Sequence, residues 1–197
     1  MITQDTPEFS SIFQEPRVQR RLQWLVDEAH SVDGHYDMAI KNIMRTLSNY
    51  FCIGQGSINS QGIKMTHRWM SQSAFEMLQK CSRQEWLKGT INEHRIPLRA
   101  IWDWIRSDPQ ITPLAVAQKF YNNPMIIVTK GEDQRLVQSG LQSSASSNRY
   151  STAGIEVIFA PYKPIMKFKT GKTRLPEEDI CRTDEPKQPN PSYTHSF

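Results

Sequence analysis

Between residues 16 and 29 the apolar positions Val18, Leu22, Leu25, Val26 and Ala29 return every three or four residues, with Arg17, Arg20 and Arg21 toward the opposite side. That spacing predicts an amphipathic helix. "SVDGH" supplies turn residues, and Tyr36, Ile40, Ile43, Met44, Leu47 and Phe51 then resume the helical period. The short connection predicts antiparallel packing of the two helices. The polar segment "GQGSINSQG" (54–62) lacks the lysine and hydroxyl of a phosphate-binding P-loop and reads as a connector. Beyond it, Met70, Ala74, Met77, Leu78 and Cys81 form a stripe widened by Trp69 and Phe75, which predicts a third, central helix over 65–81.

An extended segment from Ile91 leads to Pro97, which suits a first helical turn because its missing N–H would have no partner there. Leu98, Ile101, Trp102 and Ile105 make the buried face of a fourth helix, ended by Asp108-Pro109. Thr112 and Pro113 open a fifth, with Leu114, Ala117 and Phe120 or Tyr121 packing. The period then changes. "MIIVTK" (125–130) is β-branched and reads as a buried strand, "GEDQRLVQSGL" as a short helix closed by Gly140, and "GIEVIFAP" (154–161) as a second strand. The expected fold is mostly α with a small β-sheet: an α+β domain of five or six helices and two or three short strands.

Composition divides this pattern into segments. Only 38% of residues are hydrophobic, and six of the 12 prolines fall within 161–197, where no helical or strand period is visible. We therefore expect a flexible segment over 1–15, one globular domain over 16–160, and a disordered tail over 161–197. Three widely separated cysteines (Cys52, Cys81, Cys181) make neither a zinc knuckle nor a disulfide framework. The opening residues lack a signal-peptide pattern, and no apolar run approaches a membrane span, so a cytoplasmic location and no membrane partner are expected.

The net charge of +4 matters less than its distribution. "YKPIMKFKTGKTR" (162–174) holds Lys163, Lys167, Lys169, Lys172 and Arg174 without an acid, interleaved with Tyr162 and Phe168. Cations with aromatics suit phosphate neutralisation and base stacking, and Arg17, Arg20 and Arg21 would extend the footprint. The leading expectation is a nucleic-acid-associated binding protein, with DNA or RNA as partner.

Enzyme chemistry centres on Glu93-His94, ahead of "IPL". This short stretch resembles the histidine segment of the ββα-metal (HNH) nucleases. The resemblance implies His94 as general base and Glu93 or Asp103 holding a divalent ion, the one cofactor expected on this alternative. The helix begins directly at Pro97, where that family has a loop, and no cysteine pair accompanies the segment. A structural role is the competing expectation, with Glu93 or His94 satisfying free N–H groups at the helix start beside Ile96. His35, His67 and His94 show no metal-ligand spacing. Arg149 and Tyr150 end a serine-rich loop with no assigned role. A third alternative is a protein–protein adaptor or inhibitor, with exposed anchors among Trp24, Trp69, Trp86 and Trp104, and Trp104 foremost because it points away from the apolar stripe.

Overall fold

The computed structural model describes residues 8–56 and 59–168. The α+β class holds, but the expected element count is too low. The described residues form eleven helices, eight of them of seven residues or more, and a four-stranded mixed sheet. In chain order they are α1 (Phe9–Phe13), α2 (Pro16–Ala29), α3 (Met38–Ile53), α4 (Ser60–Thr66), β1 (Trp69–Ser71), α5 (Gln72–Lys80), α6 (Arg83–Gly89), β2 (Thr90–His94), α7 (Leu98–Ser107), α8 (Pro113–Asn122), β3 (Met125–Thr129), α9 (Lys130–Gln138), α10 (Arg149–Thr152), β4 (Val157–Phe159) and α11 (Pro164–Phe168). No helix among the described residues is long and apolar enough to cross a membrane.

Three of the extra helices, α4, α5 and α6, are short and open on local side-chain caps. The single helix expected over 65–81 is instead α4, β1 and α5. Ser71 stops the strand and starts α5 by accepting the Ala74 N–H at 3.1 Å. Ser82 and Glu85 form a capping box that opens α6. Thr129 and Glu132 do the same for α9. Gly140, with φ of 66°, follows the end of α9 in the left-handed region that glycine reaches without steric cost.

The sheet order is β2-β3-β1-β4, with β1 parallel to β3 and the two outer pairings antiparallel. Met70 lies opposite Ile127, and Trp69 opposite Phe159. Both faces are covered, so β3 is buried without alternation. One face packs Met70, Ile127 and Ile158 against Ala74, Leu78 and Trp86 of α5 and α6. The other packs Ile91, Ile126, Val128 and Val157 against Leu136 of α9 and Tyr150 of α10. A separate helical core joins α1, α2, α3, α7 and α8 through Leu22, Leu25, Met44, Leu47, Trp102 and Phe120. The predicted stripes of α2, α3 and α7 supply most of it.

Segment boundaries also gain detail. Within 1–15, Phe9–Phe13 is helical and Ile12 is buried. Within 161–197, Pro164 is buried at the start of α11, and residues 169–197 lie outside the described residues.

Candidate functional site

β2 ends in Glu93 and His94, which pair with Ile126 and Met125 of β3. Successive strand residues point to opposite faces. Glu93 falls on the Ile91 face and meets Arg149 of α10, whereas His94 shares the face of Asn92, whose amide donates to the Ser60 carbonyl at 3.0 Å. The two neighbours therefore do not act on a common point. Asp103, the other expected metal holder, is exposed on α7 and paired with Arg99 at 3.0 Å. Among the described residues, no three His, Cys, Asp or Glu side chains come together to hold a metal ion.

The expected capping role is also not found. The N-cap of α7 is Pro97, without a side-chain cap. Glu93 is instead committed to Arg149, whose side chain is wholly withdrawn from solvent. One Arg149 terminal nitrogen donates to Glu93 Oε1, to the His94 carbonyl at 3.0 Å and to Tyr150 Oη at 3.1 Å. The other donates to the Gln142 carbonyl at 3.0 Å. Arg149 thus fastens the serine-rich loop to the end of β2, a contact no local pattern could announce.

Burial dominates the electrostatics. It raises the Glu93 carboxyl above its ordinary range despite the pull of Arg149, and pushes Tyr150 up to about 12. His94 is held down to about 4, first by burial and then by the charges of Arg45 and Arg149. Its Nε2 is buried without a hydrogen-bond partner. His67 is likewise held down to about 4 by burial, its Nε2 lying against the Met125 carbonyl.

The cationic residues separate into two groups. Arg17, Arg20 and Arg21 line an open groove of about 570 Å³ with Trp24 and with Ile43 of α3. They lie on one side of α2 because its other side carries the buried Val18, Leu22, Leu25 and Val26. The Arg21 guanidinium donates to the Arg17 carbonyl at 3.1 Å, and among the described residues none of the three forms an ion pair. Trp24 is 39% exposed.

The C-terminal group is used differently. Lys167 donates to the Leu78 carbonyl, and Lys163 lines a small cleft with Cys52, His67 and Arg68. The aromatics expected to stack on bases face the protein: Tyr162 packs on Phe75 at 5.9 Å and Phe168 on Trp86 at 6.2 Å. Lys169, Lys172 and Arg174 lie outside the described residues.

The other tryptophans considered as anchors differ in exposure. Trp86 is fully buried, Trp69 packs in the sheet core, and Trp104 is half-buried beneath Lys119, whose ammonium lies 4.8 Å from its ring centre. No family model matches the chain, and no curated protein or solved structure matches it.

Proposed function

We propose that this chain binds nucleic acid through the outer face of α2. The observation that carries the reading is the convergence of Arg17, Arg20 and Arg21 on one open groove, with no carboxylate paired to them among the described residues. Guanidinium groups suit phosphate through their planar fork of donors. Binding gains from counterions released as phosphates are neutralised, and it weakens with salt in proportion to the number of contacts. Lys169, Lys172 and Arg174 add further cations to the same chain.

The test is the salt dependence of oligonucleotide affinity, measured by fluorescence anisotropy for the full chain. Each phosphate contact contributes roughly 0.7 to 0.9 to the log–log slope. Arg17→Ala, Arg20→Ala and Arg21→Ala are each expected to weaken binding and lower the slope by about that amount. A slope unchanged in the triple variant would remove α2 from the interface.

A further inference from the structure

Resting on the nucleic-acid reading, we propose that the α2 groove takes single-stranded rather than duplex nucleic acid, with Trp24 as the platform on which one base stacks. The argument begins with what α2 cannot do. A helix reads duplex DNA by entering a major groove about 12 Å wide, which nearly matches the 10–12 Å diameter of a helix with its side chains. Such a helix must stand clear of its neighbours on both flanks of the face it inserts. α2 does not: it packs against α1, α3, α7 and α8, and Val18, Leu22, Leu25, Val26 and Ala29 are all buried. Ile43 of α3 forms part of the same groove, so the neighbouring helix walls one side. The nucleic acid has to come to this surface.

The exposed face is graded along its length. Arg17, then Arg20 and Arg21, then Trp24 follow one another at helical spacings of three and four residues, which places them on one stripe. Arg17 and Arg21, four residues apart at a 1.5 Å rise, lie about 6 Å apart along the helix axis, with Arg20 between them. The three cations therefore form one cluster for backbone phosphates, and the stripe ends in an aromatic ring beside an apolar side chain. One turn beyond, Asp27 accepts a hydrogen bond from Gln23 at 2.8 Å, and its carboxylate closes the cationic stretch. A duplex offers this surface phosphates only, because its bases are stacked inside. A single strand offers phosphates to the arginines and an unstacked base to Trp24 and Ile43, so it alone uses the whole stripe.

The test compares a short oligothymidylate with a duplex of the same length at low salt, for the wild-type chain, Trp24→Ala, Trp24→Phe and the triple arginine-to-alanine variant. Circular dichroism checks folding of each; Trp24 is exposed, so its replacement is expected to leave the fold intact. The wild type is expected to bind the single strand more tightly. Trp24→Ala should lose about 5- to 140-fold on the single strand, the effect of losing one stacked base, with no change on the duplex. Trp24→Phe should retain most of the affinity. Equal or tighter duplex binding by the wild type would overturn the inference. So would full single-strand affinity in Trp24→Ala while the arginine variant is weakened, a result that leaves the electrostatic reading standing. No binding of either oligonucleotide would overturn both.

Discussion

Arg149 and Glu93 form an ion pair across the gap between α10 and β2, the guanidinium fully shielded and the carboxylate side chain 18% exposed. Removing one member of such a pair leaves an uncompensated charge inside the protein, which costs about 3–5 kcal/mol. Glu93→Ala is expected to lose about 3 kcal/mol, the lower end, because the carboxylate keeps some contact with water. Replacing both by Leu and Met should recover much of the loss. Urea unfolding of the three variants checks this, and a Glu93→Ala loss under about 1 kcal/mol, the range of an exposed pair, would sink it.

Acid should destabilise the fold through two histidines. His67 and His94 are held down to about 4 from 6.5. Between those values the unfolded chain binds protons that the folded chain refuses. Their contribution is therefore full above pH 6.5 and falls as pH drops toward 4, by up to about 1.4 kcal/mol per pH unit for each histidine. Glu93 runs the other way. Its raised carboxyl favours the folded chain on the acid side and loses that contribution as pH rises, which blunts the slope. Urea midpoints at pH 7 and pH 5 should differ less in a His67→Gln, His94→Gln variant than in the wild type; an equal acid loss would count against the assignment.

Cys52 is buried, its Sγ accepting the Met125 N–H at 3.2 Å, and burial pushes the thiol up to about 11. Thiolate is the reactive form. With Cys81 and Cys181 changed to serine, a thiol reagent at neutral pH is expected to label Cys52 only as fast as the chain opens. Labelling at the rate of a free thiol in the absence of denaturant would show that the site is open.

Lys64 is another buried cation, its Nζ donating to the Leu87 carbonyl at 2.9 Å and the Thr90 carbonyl at 2.5 Å. It ties α4 to the end of α6 and the start of β2. Lys64→Met keeps the length but leaves those bonds unmade, and a loss of about 1–3 kcal/mol is expected in thermal or urea unfolding.

Where burial is one-sided and local, the sequence pattern was readable. Leu98, Ile101, Trp102 and Ile105 are all buried as their spacing predicts, and Thr112 caps α8 by accepting the Ala115 N–H. β1 was hidden for a physical reason. Its three residues carry no period of their own, and Met70, Ala74 and Leu78 line up at intervals of four across the strand–helix junction. What makes Trp69–Ser71 a strand is pairing with Ile127 and Phe159, far along the chain. The α2 arginines were visible as a stripe, whereas the burial of Arg149 and the inward packing of Tyr162 and Phe168 were not, since each depends on a distant partner.

The sheet also imposes an order on the making of the protein. β1, an inner strand, is synthesised first, and its neighbours β3 and β4 come later. As the chain leaves the ribosome, both edges of Trp69–Ser71 stay open until Met125–Thr129 emerges, and one remains open until Val157–Phe159 follows. An open strand edge recruits other strands, including those of neighbouring nascent chains. Translation that halts between 139 and 148 would therefore release a product that has α1 to α9 but lacks α10, β4 and α11, with one edge of β1 unpaired, whereas translation past Phe159 supplies the strand that pairs with it.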